Sequence, residues 1–167
     1  MTLGRTALLL AVATALEFFV GSSRHREWLP VDWFLLATAT VARSGDFVRA
    51  VLAGAAAGFA EDVLSQPLLG MNAFAKALLG FALTLVSVRI VFGGALAVGA
   101  ALAAASLANE AIVALLSALL AQAPIVLISR EAVWRAVATG ITGGALEAAW
   151  NFAWRDWWKR RRLRRLR

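Results

Sequence analysis

Residues 54–70 read GAAAGFAEDVLSQPLLG, an apolar stretch that contains the acidic pair Glu61 and Asp62. Small residues stand four positions apart ahead of the acids, and Pro67 ends the helix because proline lacks a backbone donor. Charged side chains within apolar sequence are costly, so they usually face protein, water or a partner. The stretch therefore predicts a membrane helix whose packing carries the specificity of the protein.

The composition of the whole chain also indicates a membrane protein. Hydrophobic residues make up 61% of the 167 positions and charged residues 16%, and the mean hydropathy is +0.74. Soluble domains are typically about 45–50% apolar and 25% charged. A soluble chain of this size could not bury the excess in one core. We expect an all-α integral membrane protein with about six transmembrane helices in one bundle, formed by residues 1–154.

Apolar runs and turn signals predict where the six helices lie. The first covers about residues 3–20, and we interpret it as a retained helix because Glu17 and two phenylalanines stand where a signal peptide needs small residues. Pro30 and Asp32 suit the first turn of a short second helix that ends near residue 42. The others cover about residues 50–64, with Asp46 as a cap, and 73–91, 95–121 and 132–154.

The distribution of charge predicts the orientation of the bundle. Of the 17 Lys and Arg residues, eight lie in residues 155–167, directly after a hydrophobic helix. Such a block orients the helix and attracts anionic lipid. RNA is the alternative ligand for a basic run, but this position favours lipid over nucleic acid. We interpret residues 155–167 as a basic cytoplasmic tail, with both termini inside a bacterial cytoplasmic membrane.

The glycine spacing of the third helix has two interpretations. Gly54, Gly58 and Asp62 recur every four residues and share a face, which lets another helix approach closely. That helix belongs either to this chain or to a partner, and Ala7, Ala11 and Ala15 show the same spacing. Asp62 is either functional or a carboxylate bonded to backbone donors beyond Pro67.

Other polar residues within the apolar segments indicate a polar bundle interior. Glu110 stands in the middle of the fifth helix, so we expect it to be the most deeply buried acid. We expect the acids to bond one another, or Lys76 and Arg89, inside the bundle. The residues predicted to form this interior are Glu17, Asn109, Glu110, Glu147 and Asn151.

The sequence gives no sign of catalysis. Cysteine is missing and His25 is the only histidine, within a charged loop, so thiolate chemistry and Cys-based metal sites are excluded. No Ser-His-Asp set, metal-ligand cluster or phosphate-binding loop emerges. We expect a protein that is not an enzyme and that needs no cofactor or metal.

Three motifs carry a resemblance to a known family. They are Leu29-Pro30-Val31-Asp32 opening a short helix, the Gly54, Gly58 and Asp62 spacing, and Pro67 followed by Gly70. Together with the length and the basic tail, they resemble the rod-shape-determining protein MreD. Glu61 before Asp62 departs from that pattern, where an amide or apolar residue is expected, and leaves open which acid does the work of the family aspartate.

The resemblance implies a non-enzymatic scaffold in the bacterial elongation machinery. Members of that family bind the single-span protein MreC and, through it, MreB filaments and the peptidoglycan synthase of RodA and a class B penicillin-binding protein. Their fold is similar to the substrate-binding subunits of energy-coupling-factor vitamin transporters, which supplies the alternative function. The resemblance implies that Gly54, Gly58, Asp62, Pro67 and Gly70 organise partner docking, so Gly58→Leu would weaken recovery of MreC.

The predicted orientation can be tested with a tag after Arg167. Because the basic tail should hold the C-terminus in the cytoplasm, the tag should be labelled only after the cells are permeabilised. Labelling of intact cells by an impermeant reagent would contradict the six-span topology.

Overall fold

The computed structural model has six helices among the residues that it describes. It describes residues 3–22, 30–65, 69–89, 94–121 and 129–164, with side chains for all of these except 3, 20–22, 65, 121 and 154–164. The helices are α1 (Leu3–Ser22), α2 (Trp33–Ala42), α3 (Phe47–Ser65), α4 (Met71–Arg89), α5 (Ala95–Ala121) and α6 (Arg130–Arg164). No strand occurs within these ranges, so the all-α prediction is confirmed.

The helix ends lie close to where the sequence predicts them. Asp32 caps α2 by accepting a hydrogen bond from Leu35 N at 2.7 Å, and Asp46 caps α3 in the same way from Arg49 N at 3.1 Å. The α6 helix is the exception, because it continues to Arg164. The first ten residues of the predicted tail therefore extend α6 as helix.

The short helix α2 lies at the centre of the bundle and contacts every other helix. It has ten residues, seven of which are buried, so it is about 15 Å long at 1.5 Å per residue. That is about half of the ~30 Å hydrocarbon core of a bilayer. Its length confirms that the second helix is short.

Glycines let the backbones of α3 and α4 touch. A Cβ atom at Gly54 would lie 2.2 Å from the carbonyl oxygen of Lys76, and one at Gly58 would lie 2.2 Å from that of Asn72. Gly80 of α4 fits against Ala50 in the same way, at 2.4 Å. The glycine face of α3 is therefore covered by α4 of the same chain, and a partner helix could use it only by displacing α4. Gly58→Leu would disturb this packing before it reported on a partner.

The helices α5 and α6 pack by the same device. Gly99 and Gly140 face each other, and a Cβ on either would lie 2.8 Å from the carbonyl oxygen of the other. Close packing in the bundle thus depends on small residues in two helix pairs, α3–α4 and α5–α6. The glycine spacing in the sequence indicated only the first of these pairs.

Charged side chains lie inside the bundle and large apolar side chains lie on its outside, an arrangement that we call inverted polarity. The buried residues include Asp32, Asp62 and Lys76, whereas Phe19, Leu119 and Ile141 are 76%, 70% and 68% exposed. Exposed apolar surface on this scale marks contact with a partner or a membrane. Among the described residues, α4 and residues 95–120 of α5 are long and apolar enough to cross a membrane.

Glycine replacements test the packing of α3 on α4. Alanine normally favours a helix interior over glycine by about 0.5–1 kcal/mol. At Gly58 the sign should reverse, because the added methyl group meets the backbone of Asn72, and overpacking of this kind costs about 1–3 kcal/mol. Thermal unfolding of the purified protein in detergent should show a lower Tm for Gly58→Ala.

Gly94→Ala is the matched control, since nothing lies within 4 Å of its added Cβ. Equal melting of the two variants would contradict the close backbone contact at Gly58.

Candidate functional site

The most unusual feature of the interior is the ammonium group of Lys76, which is fully buried. Its Nζ atom lies 2.6 Å from Asp32 Oδ2 and 2.8 Å from Glu61 Oε2. One cation is thus shared by carboxylates from the start of α2 and the end of α3. Lys76 lies five residues after the start of α4, so the cluster sits about 7 Å inside the bundle. We call Asp32, Glu61 and Lys76 the Lys76 cluster.

Asp32 connects three helices through different atoms. Its Oδ1 accepts from Leu35 N as the cap of α2, its Oδ2 contacts Lys76 of α4, and its backbone N–H donates to Thr139 Oγ1 of α6 at 3.0 Å. The buried start of α2 is therefore held by α4 and α6. The sequence predicted Asp32 at this helix start, but not its ion pair.

Glu61 depends on Lys76 for its charge balance. Its side chain is 12% exposed, and beyond the ion pair with Lys76, Oε2 has no hydrogen-bond donor among the described residues. A buried carboxylate without a cation would be strongly unfavourable. Glu61 is therefore the member of the adjacent acidic pair that binds Lys76. The sequence left open how the two acids divide their roles.

Asp62, the next residue, has a separate role as the cap of α4. Its Oδ2 accepts from Gly70 N at 2.8 Å and Ala73 N at 3.2 Å, while its Oδ1 accepts from Asn72 N at 3.1 Å and Asn72 Nδ2 at 3.0 Å. The positive end of the helix dipole adds to these bonds. The interpretation of Asp62 as bonded to backbone donors beyond Pro67 is confirmed, and its side chain is fully buried.

The turn before α4 requires Gly70. Its φ angle is +104°, a left-handed conformation that favours glycine. This geometry lets the chain return so that its next backbone N–H groups point at Asp62. Pro67, the other residue predicted here, lies outside the described residues, and so does most of the turn.

A second ion pair joins α5 and α6. Arg135 Nη1 lies 3.0 Å from Glu110 Oε1, with side chains 38% and 28% exposed. The expectation that Glu110 is the most deeply buried acid is therefore wrong, because Asp32, Glu61 and Asp62 are more buried. Position along a helix does not fix burial, since Glu110 lies at the side of α5 that reaches Arg135.

Most of the remaining residues of the predicted polar interior do not contact one another. Asn109 is 2% exposed, and its Oδ1 has no hydrogen-bond partner among the described residues. Glu17 of α1 is half-buried and has an interaction of its own. Asn151 is exposed, so its assignment to the interior is wrong. Arg89, expected to pair with these acids, is exposed at the end of α4.

Glu147 forms the polar contact at the opposite end of the bundle. Its carboxylate forms a two-bond ion pair with Arg43, one bond being 3.1 Å from Nη2 to Oε1, and accepts from Asn151 Nδ2 at 3.2 Å. These bonds raise the pKa of the Arg43 guanidinium, so Arg43 stays charged. Glu147 and Asn151, both predicted for the polar interior, thus lie on one face of α6. We call this the tail end, and the end with Asp62 the Asp62 end.

A cavity of about 430 Å³ lies at the tail end between α2, α4, α5 and α6. Its wall is mostly apolar, with Arg43, Glu147, Thr40 and Ser87 as the polar exceptions. Its volume falls within the roughly 300–1,000 Å³ of pockets that enclose small ligands.

The Lys76 cluster joins helices through ion pairs. Lys76 is paired with two carboxylates, which stabilises its protonated form and suppresses the free amine that a nucleophile or base needs. Within the part of the chain that the structure describes, no three His, Cys, Asp or Glu side chains come together as metal ligands. The arrangement can hold α2, α3 and α4 together.

The sequence did not predict three cations of these ion pairs as site residues, namely Lys76, Arg135 and Arg43. It offered Lys76 only as a partner for acids of the interior. The available signal was that Lys76 is the only charged residue in α4 before Arg89. A lone cation in an apolar helix requires a buried anion.

Comparison with protein-family models, curated proteins and solved structures finds no match to this chain.

Replacement of Lys76 tests the cluster. Lys76→Met should leave Asp32 and Glu61 buried without a cation and cost about 3–5 kcal/mol, whereas neutralising all three groups should restore most of the stability. Unfolding free energies in detergent should therefore rank the triple variant Asp32→Asn, Glu61→Gln, Lys76→Met above Lys76→Met alone.

Arg49→Gln is the control, because Arg49 and Asp46 form a pair with 43% and 39% exposed side chains. Such pairs contribute about 0–1 kcal/mol. A Lys76→Met protein as stable as Arg49→Gln would show that the cluster does not hold the bundle.

Proposed function

We propose that this chain is an integral membrane protein of the bacterial cytoplasmic membrane, with about six crossings and both termini inside. The observation that carries the proposal is the inverted polarity: ion pairs occupy the interior while large apolar side chains cover the outside of α1, α3, α4, α5 and α6. Water would disfavour that surface and lipid would favour it. The two helices long and apolar enough to cross a membrane agree with this placement.

The short helix α2 covers only part of a crossing. Residues 30–32 turn into the helix, because Trp33 N donates to Val31 O at 3.1 Å. The helix itself covers about 15 Å, which is about half of the hydrocarbon core. The buried start of α2 therefore lies at the depth of the Lys76 cluster. Non-helical backbone at that depth is tolerated because α4 and α6 cover it.

We further propose that the protein is a non-catalytic scaffold of the cell-elongation complex, similar to MreD. It would bind MreC through its helices and reach MreB, RodA and a class B penicillin-binding protein indirectly. The Lys76 cluster supports a scaffold, because its charges are paired with one another and fix helix positions. Since α4 covers Gly54 and Gly58, the partner would contact the exposed apolar faces instead.

The second candidate is a substrate-binding subunit of an energy-coupling-factor vitamin transporter. The cavity of about 430 Å³ favours it, because such a subunit must enclose a small molecule. However, the cavity lies at the tail end, whereas a substrate arriving from outside would enter at the Asp62 end. The scaffold therefore remains the preferred function.

A pull-down from native membranes tests both functions. Tagged protein would be solubilised in mild detergent, and co-purifying proteins would be identified by mass spectrometry against an unrelated tagged multi-span protein. We expect MreC together with RodA and its transpeptidase. Recovery of cassette ATPases with a transmembrane coupling subunit would instead identify a transporter component.

A further inference from the structure

The cavity at the tail end has an apolar interior and a charged opening. Leu36, Leu102 and Gly143 are buried and close its inner end. Arg43 and Trp150 also line it, and both are exposed. Gly143 and Trp150 are seven residues apart on α6, so the cavity extends about 10 Å along the helix axis. This is the amphipathic arrangement that a lipid molecule has, with an apolar chain and a polar head.

The cavity lies between four helices and has a volume of about 430 Å³. A flexible hydrocarbon chain has no fixed width, so it can follow the irregular wall between these helices. A helix is a rigid cylinder about 10–12 Å across and cannot follow the wall in this way.

The charge at the opening favours an anionic headgroup. Arg43 has a 47% exposed side chain, and two of its five N–H donors go to Glu147. The remaining donors can bond a phosphate, while Glu147 stays paired with Arg43 and hydrogen-bonded to Asn151. Arg89 is exposed at the same end, and α6 continues from Trp150 to Arg164, a stretch that contains six of the basic residues of the tail.

We propose that the tail-end cavity binds an anionic phospholipid, with an acyl chain between Leu36 and Leu102 and the phosphate at Arg43. Basic pockets between helices on the cytoplasmic side of a membrane bind such headgroups in general. The lipid would fill the gap between α2 and the α5–α6 pair, where direct helix contacts are weakest. The inference rests on the membrane placement proposed above and is independent of the protein partner.

Thermal unfolding in an uncharged detergent tests the site. The purified protein would be titrated with phosphatidylglycerol or with phosphatidylcholine of the same acyl chains, and unfolding would be followed by tryptophan fluorescence. Phosphatidylglycerol should raise the Tm at lower concentration than phosphatidylcholine. Ala101→Phe, which fills the cavity, should weaken the apparent affinity for phosphatidylglycerol about tenfold, whereas Ala104→Phe, on the exposed face of α5, should not.

A pair of double variants tests the headgroup contact. Arg43→Gln with Glu147→Gln removes the ion pair at the opening, and Asp46→Asn with Arg49→Gln removes an equal charge pair outside the cavity. Only the first should abolish the preference for phosphatidylglycerol. Melting without lipid identifies any variant that is destabilised in itself, and the comparison then uses the lipid-induced change alone.

Three results would overturn the lipid site. They are an equal response to both lipids, an Ala101→Phe protein that binds like the parent, and stabilisation by a polyprenyl diphosphate alone, because the occupant would then be a polyprenyl lipid. Failure of the membrane placement is a separate result, namely a protein that stays monodisperse without detergent.

Discussion

A buried positive charge constrains the centre of this bundle. The ammonium group of Lys76 has no access to water, so the chain must bring carboxylates to it from other helices. Asp32 and Glu61 do so from α2 and α3, at 2.6 and 2.8 Å. The distance between Glu61 and Lys76 is reached because Gly54 and Gly58 let the backbones of α3 and α4 touch. Glycine packing and charge pairing are therefore parts of one arrangement. The glycine contacts set the separation of α3 and α4 that the ion pair between Glu61 and Lys76 requires.

The two adjacent acids show how one sequence feature divides into two physical roles. Successive residues of a helix point about 100° apart, so Glu61 and Asp62 face different neighbours. Glu61 turns toward Lys76, whereas Asp62 turns toward the start of α4 and satisfies N–H groups that a helix start leaves without partners. The ion pair of Glu61 fixes the lateral position of α4, and the hydrogen bonds of Asp62 fix where α4 begins.

The two ends of the bundle differ in a way that bears on function. At the Asp62 end the charges are buried and paired, which favours a fixed arrangement of α2, α3, α4 and α6. At the tail end the Arg43–Glu147 pair is partly exposed and borders a cavity. A scaffold that is rigid at one end and open to lipid at the other would hold its partner in a membrane of a particular composition. Both proposals rest on the same membrane placement.

Sequence alone determined the helices, because hydropathy, proline and capping residues act within a few positions of the chain. It therefore predicted α5 over about the residues that the structure describes, placed Asp32 and Asp46 at helix starts, and offered backbone donors beyond Pro67 as one of two interpretations of Asp62. It could not pair Lys76 with Asp32, 44 residues away, or Arg43 with Glu147, 104 residues away. Only the tertiary structure decided those pairs, and with them which face of α3 is covered, since ion pairing depends on distance in space and no local spacing encodes it.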